Sequence, residues 1–347
     1  MKIISIANQK GGCGKTTLAV NVAAALSKLG NETLLIDLDP QAHATFALGY
    51  SKESSERKTS YDIFRAHFDN VDVPFDELVI KDREKLSFIP SNMMLSAAEI
   101  NLGSVNGAAA ILSRTLSKTF FKEYEYVVID SPPSFGFLTL NSMYAANMII
   151  VPVDLSYFSF NGINGVYRVT GLLNTETGRS PAVFFVMNIY DQRSNFAKQF
   201  ESDAKKKLGQ YLLPTKIRSS VRLREAARQG KTIFEYDSKS SAALDFYNLT
   251  SEILTAWSKE ANEIVREFLI HAPKAGDVYV LGDFNDWKKS ESSRLTKLEN
   301  GQWSAHFSLA RGQYRYKFLV DDKWTADPKN IEAEANIFGT DDSVLSI

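Results

Sequence analysis

Apolar residues gather along the first half of the chain in short, β-rich runs: IISIA (3–7), TLLID (33–37), YVVID (126–130), MIIVPV (148–153) and VFFVMN (183–188). Runs that are continuous rather than alternating suit strands of a parallel sheet buried on both faces. Between the first two lies TTLAVNVAAALSKLG (16–30). Its apolar positions recur at helical spacing, and Gly30 stands where a helix stops. Strand, glycine turn, helix, strand is a βαβ unit. Its repetition predicts an α/β fold, a doubly wound and mostly parallel sheet whose site lies at the carboxyl ends of the strands. Residues 242–267 read as one long amphipathic helix. Beyond it the period changes to short alternating stretches (EFLIHAP, DVYVLGDF, GQWSAHFSL, GQYRYKFLV, DSVLSI) separated by turn formers. That pattern predicts a small all-β, immunoglobulin-like sandwich. The predicted division is an α/β domain over 1–266 and a β-sandwich over 267–347.

Bulk properties narrow this little. The 347 residues and the 44% hydrophobic content suffice for two cores. A net charge of −1 leaves only a local patch to attract a polyanion. The single cysteine, Cys13, excludes an internal disulfide and fits a cytosolic compartment. No apolar stretch reaches membrane-spanning length, and the N-terminus enters a strand without a charged-then-apolar leader. The expectation is a soluble, cytoplasmic protein with no membrane contact.

The first run is followed by NQKGGCGKTT (8–17), with lysines at positions 10 and 15 around three glycines. A glycine loop between strand and helix lets backbone N–H groups converge on phosphate oxygens. Gly11, Gly12 and Gly14 supply that loop. Lys15 would neutralise the β- and γ-phosphates of ATP, and the Thr16 hydroxyl would ligate Mg²⁺. The strict Walker pattern fails, because Gln9 stands where a glycine belongs. The loop resembles instead the deviant Walker A motif of the ParA/MinD family of partitioning ATPases, over roughly residues 1–258. The resemblance implies a P-loop NTPase fold, with nucleotide contacts from the loop, Cys13 and Thr17 included. It also implies that Lys10 reaches across an ATP-dependent homodimer to the partner's nucleotide. In LLIDLDPQAHAT (34–45), Asp39 corresponds to the aspartate that orients the attacking water, and Asp37 to a group near the Mg²⁺. VVIDSPPSFGFLTLNSMYAAN (127–147) resembles the family's Walker B and switch stretch, with Asp130 beside the metal. Asn188 stands where the family contacts adenine; a polar cap is the other reading. Cys13 fits as a small residue, although a thiol near a phosphate-binding helix N-terminus is also a candidate for a lowered pKa.

Two further segments bear on partners. KIRSSVRLREAARQGKTI (216–233) is strongly basic and resembles the family's DNA-contacting stretch, with Arg218, Arg222, Arg224 and Lys231 as candidate phosphate contacts. Such contacts give salt-sensitive, sequence-blind affinity. In the C-terminal region, DVYVLGDFNDWKK (277–289) and GQYRYKFLVDDKWTADP (312–328) resemble the glycogen-binding module of the AMP-activated kinase β subunit. Sugars present flat C–H faces to exposed aromatic rings. The resemblance implies stacking by Trp287 and Trp324, a polar contact from Lys317, and flanking contacts from Phe338 and Thr340. Asp342 replaces the family's asparagine and loses its amide donor. Trp303, in an alternating strand, reads as core. The function expected is an ATPase that dimerises with ATP, binds non-specific DNA on the nucleoid and answers to a ParB-like partner. Its C-terminal module would bind α-glucan. The alternative is a carbohydrate-associated scaffold whose ATPase core is a dimerisation clamp without DNA.

Overall fold

The computed structural model describes residues 1–50, 57–69, 71–103, 105–155, 159–260, 263–298, 301–310, 312–330, 332–336 and 339–347. It divides into two compact units, Met1–Ser202 with Gln210–Trp257, and Ser258–Ile347 with the short segment Asp203–Gly209. Among the described residues no helix is long and apolar enough to cross a membrane.

The first unit is built on eight strands: β1 Lys2–Ile6, β2 Thr33–Asp37, β3 Ile80–Arg83, β4 Leu86–Ile89, β5 Tyr126–Asp130, β6 Met148–Val153, β7 Ala182–Tyr190 and β8 Leu212–Arg218. Their spatial order is β3-β4-β2-β5-β1-β6-β7-β8. Only the β3–β4 pair is antiparallel. Helices cover both faces, which explains why the central strands are continuous in apolar character rather than alternating. The order runs to either side of β1, so the crevice expected of such sheets lies at the carboxyl ends of β1, β2 and β5. Helix α1, Lys15–Lys28, packs a mostly small, alanine-rich surface into the core.

Three strands carry no signal of their own. β3 and β4 are four residues each, and β8 contains Pro214, which a central strand excludes. β8 is the sheet's edge, where a missing N–H is tolerated. The helix predicted over 242–267 is shorter: after helix α2, Val221–Arg228, helix α3 spans Ser241–Glu260 and stops there. Residues Glu263–His271 form strand β9 instead. The run EIVREFLIH alternates and carries β-branched residues near its start, and pairing with a long neighbouring strand decides in favour of extension.

The second unit is antiparallel throughout. β10 Val278–Gly282, β13 Gln313–Val320, β14 Lys323–Thr325, β15 Ala333–Ala335 and β16 Asp341–Ser346 make one sheet. β9, β11 Thr296–Lys297 and β12 Gln302–Ala310 make the other. Phe268, Ile270 and Trp303 from the second meet Val278, Val280, Tyr316 and Phe318 from the first in one core, as in a β-sandwich. Trp303 is 4% exposed and donates its indole N–H to the Ala272 carbonyl at 2.9 Å.

Phe246 of α3 is fully buried in the core of the first unit. Phe246→Ala should therefore lower that unit's unfolding free energy by about 3–5 kcal/mol, measured by urea denaturation.

Candidate functional site

The loop after β1 is held from behind. Asn8 donates through its side chain to the Pro152 carbonyl (2.7 Å), and its Oδ1 accepts the Lys10 N–H (3.0 Å). Gly11 and Gly12 line an exposed mouth with open space beside them. Gly14 begins α1 at a φ of 85°. A Cβ there would also stand 2.4 Å from Nδ2 of Asn188, so the position is closed to any side chain on two counts. Asn188, at the end of β7 and 3% exposed, donates to the Cys13 carbonyl at 2.8 Å. Its Oδ1 accepts the Ile189 N–H at 3.0 Å. The structure thus places Asn188 as a brace of the loop's backbone.

The two lysines of the loop have different surroundings. Lys15 is 7% exposed and donates to the Lys10 carbonyl at 3.0 Å. The Lys10 side chain keeps 27% exposure and forms an ion pair with Asp154, just past β6. Cys13 is fully buried, and burial pushes its thiol up. The lowered pKa considered from the sequence is therefore not found: desolvation outweighs the pull of Lys15.

Opposite the loop stand two carboxylates. Asp37 and Asp130 end the neighbouring parallel strands β2 and β5 and are register partners. Both are completely buried. Asp37 is met by donors: the Asp39 N–H (3.0 Å) on Oδ1, and the Thr45 N–H (2.9 Å) and hydroxyl (2.8 Å) on Oδ2. Burial nonetheless raises its carboxyl to about 7. Asp130 has no comparable set of donors. Both of its carboxylate oxygens are buried without a hydrogen-bond partner. Burial, reinforced by the Asp37 charge, raises it well above the ordinary carboxylate range, and Thr16 and Lys15 pull the other way. Hard, unsatisfied oxygen donors beside a loop hydroxyl suit Mg²⁺. Asp39 is held in one orientation: its Oδ1 accepts the Gln41 N–H (2.9 Å) and its carbonyl accepts the Ser91 hydroxyl (2.6 Å).

Several residues at this site carry little sequence signal. Thr45 and Ser91 matter only through the long-range bonds just described. Asp154 sits in VPVDLS, where a carboxylate at a strand end was visible but had no evident partner. Ile189 adopts a φ of 54° with 43% exposure, beside Gly14. That conformation is unfavourable for a β-branched residue and marks a constrained position at the loop's rim.

The basic segment divides in two. Arg218, ending β8, is locked to Asp245: Nε lies 2.9 Å from Oδ2 and Nη2 lies 2.6 Å from Oδ1. Arg222 stands 3.6 Å from both Glu225 and Asp237. Arg224, Arg228 and Lys231 are exposed and make no ion pair among the described residues.

On the outer face of the five-stranded sheet, Trp287 and Trp324 stand with ring centroids 6.0 Å apart and planes tilted by 57°. Each sits at or beside a turn with positive φ: Asp286–Trp287 at 52° and 56°, and Asp321–Asp322 at 44° and 62°. The second is the backbone that a tight hairpin requires, and it carries Trp324 out to 53% exposure. Trp287 donates its indole N–H to Asp283 at 3.0 Å. Lys317 lies buried next to this pair, donating to Thr340 (2.7 Å) and paired with Asp342 (3.0 Å). Asn336, not singled out from sequence, donates to the same Asp342 oxygen at 2.6 Å and to Thr340 at 3.0 Å. Phe338 lies outside the described residues.

The first unit's sheet, glycine loop and strand-end carboxylates define a P-loop nucleotide-binding domain. The family model described as an AAA domain matches residues 1–180. The sporulation initiation inhibitor protein Soj of Bacillus subtilis is 35% identical over 253 residues, 73% of this chain and 98% of Soj. The chromosome partitioning protein ParA of Caulobacter vibrioides is 33% identical over 260 residues, 74% of this chain and 94% of that protein. Of solved structures, Cyanthece apo McdA is similar with a TM-score of 0.65 at 25% identity, covering 73% of this chain and 99% of McdA. Cobyrinic acid a,c-diamide synthase from Mycobacterium smegmatis, solved with an ATP analog and magnesium, gives 0.64 at 26% identity, covering 74% and 96%. The chain belongs to the ParA/Soj family of P-loop ATPases. Residues 268–347 match the family model described as the glycogen recognition site of AMP-activated protein kinase, so this ATPase carries a C-terminal glycogen-binding module.

The raised carboxyls have a consequence for stability. In metal-free protein the folded chain keeps protons that the unfolded chain releases near the ordinary carboxylate value of 3.8. The resulting stabilisation is complete below about pH 4 and is lost as pH rises through about 7. Asp130→Asn removes one of the two charges and should flatten that loss. Thermal melts in chelator at about pH 5 and about pH 8 check it; equal slopes for variant and wild type would contradict the assignment.

Proposed function

We propose that the chain is an ATP-driven switch. With ATP bound, two copies close on each other, and the dimer binds DNA without reading its sequence. A ParB-like partner then triggers an otherwise slow hydrolysis and release. The C-terminal module holds α-glucan and ties this cycle to a glucan-bearing cargo. The protein would work in the cytoplasm, on the nucleoid while ATP is bound. The observation that carries this reading is the division between two lysines on one loop. Lys15 is 7% exposed and Lys10 keeps 27% side-chain exposure at the rim, a difference that supports Lys15 serving its own phosphate site and Lys10 serving a second copy's.

ATP with Mg²⁺ is the cofactor. Thr16 and Asp130 would hold the metal, and their fit rests on the two unpartnered Asp130 oxygens. When bound, the metal neutralises charge on the phosphate oxygens. Lys15 neutralises the β- and γ-phosphates, and the glycine loop presents N–H groups to the same oxygens. Asp37, already met by three donors, acts on the site through its charge rather than as a ligand. Asp39 orients the attacking water, which is why its backbone and one carboxylate oxygen are pinned. Lys10 exchanges its Asp154 partner for the phosphates of the neighbouring copy, where it offsets charge during cleavage.

DNA contacts fall to Arg224 and Lys231, with Arg228 beside them, because Arg218 and Arg222 already face carboxylates. That pairing also favours a second reading, in which the ATPase core is a nucleotide-controlled clamp for a carbohydrate-associated scaffold and DNA has no part. Co-sedimentation with DNA separates the two. Retention with ATP, lost with ADP and with raised salt, supports the first; no retention with ATP supports the second.

Arg224→Glu with Lys231→Glu should weaken DNA retention by about tenfold or more while ATP binding stays intact. In the module, Trp287→Ala with Trp324→Ala should abolish retention on glycogen, with about 1 kcal/mol or more lost per ring. Unchanged glycogen retention in that double variant would remove the tryptophan pair from the site.

A further inference from the structure

The basic helix α2 ends at an elbow, and the elbow is fastened to both nucleotide loops. Gly230 has a φ of 67° and lies with its backbone against Gly49, whose φ is 88°. A Cβ on Gly230 would stand 2.5 Å from the Gly49 Cα, so the two chains touch with no side chain between them. Gly49 lies one residue beyond the short helix His43–Ala47 and its cap Leu48, and Thr45 of that helix holds Asp37 with two hydrogen bonds. That short helix also packs against α2.

Two side chains secure this contact. Arg83 of β3, with 17% of its side chain exposed, donates through Nη2 to the carbonyls of Leu48 (3.0 Å) and Gly230 (3.0 Å). Its Nε donates to Glu235 at 3.1 Å. Glu235 in turn closes the capping box with Thr232 that starts the next helix. Asn21 lies on α1, one turn beyond Thr17 of the phosphate loop. It is 5% exposed, donates to the Thr17 carbonyl at 2.9 Å and accepts the Ile233 N–H at 2.9 Å. One tie therefore comes from the phosphate-loop helix, and the other, from β3, joins the elbow to the segment that carries Asp37 and Asp39.

We propose that Arg83 and Asn21 are positioning residues that couple nucleotide state to the basic helix, by clamping the elbow Gly230–Ile233 to the two loops that meet the nucleotide. A close-packed joint has no soft side chain to absorb a displacement, so a shift of either loop is passed to α2. A partly buried arginine fork shared by three segments is directional and cannot be replaced by lysine, which lacks the planar set of donors. This rests on α2 as the DNA-facing element, and the test keeps the two ideas apart.

The test uses the full chain as wild type, Arg83→Gln, Arg83→Lys and Asn21→Ala, each verified as folded by circular dichroism. Hydrogen exchange over 221–233 is compared in ATP and in ADP, together with DNA retention in each. The wild type should show a nucleotide-dependent exchange difference at the elbow. In Arg83→Gln that difference should shrink about fivefold or more, with ATP affinity within about threefold of wild type. Arg83→Lys and Asn21→Ala should behave alike, and either one serves if Arg83→Gln does not fold. Persistence of the full exchange difference in every folded variant overturns the proposal, as does its absence from the wild type. If the wild type shows the exchange difference but no retention on DNA, the coupling stands and the DNA reading falls.

Discussion

Two carboxylates buried side by side, at the ends of adjacent parallel strands, are the constraint around which the first unit is arranged. Neither is stable there as an anion without help. Asp37 receives help from within the chain, through Asp39 and Thr45. On Asp130 both oxygens lack a hydrogen-bond partner, and only the proximity of Thr16 and Lys15 offsets its burial. The asymmetry is chemically useful, because a buried group with unmet acceptor capacity is poised for a cation. It also shapes what surrounds it. Thr45 and Ser91 hold Asp37 and Asp39, and the segment from Asp37 through Thr45 reaches on to Gly49 and the elbow of the basic helix. The electrostatic problem at the strand ends thus organises backbone well beyond the phosphate loop.

The glycogen-binding module solves a different problem, the display of large apolar rings in water. It does so with positive-φ turns rather than with an apolar groove. Behind the rings, Lys317, Asp342, Thr340 and Asn336 satisfy one another. Asp342 makes this network ionic, and the lysine's charge is met inside the protein. The polar floor is thereby fixed before any sugar arrives, in keeping with the rule that buried charges are paired.

Much of this was legible in the residue order. The five apolar runs predicted the central strands because strands buried on both faces need no alternation to be recognised. The glycine loop and Asp130 were legible because phosphate and metal chemistry constrain local spacing. What escaped was non-local. β3 and β4 are too short to show a period, and β8 is an edge strand containing Pro214. The end of α3 was misplaced because EIVREFLIH is compatible with either period until β12 pairs with it. Arg218 read as a free cation because its partner, Asp245, lies on another element. Asn336 and Arg83 gave no hint for the same reason: their roles exist only once distant segments meet.

The closed pairing of Lys317 with Asp342 has a further meaning if the exposed cations of the basic segment meet DNA as proposed. A pair of tilted rings over a neutralised floor would hold a sugar by contacts that mobile ions do not screen, whereas the phosphate contacts proposed for Arg224 and Lys231 would be screened. Ionic strength then becomes a selector within one polypeptide. On the proposed reading, dilute buffer would leave both surfaces engaged, and concentrated salt would strip the polyanion while leaving the sugar in place.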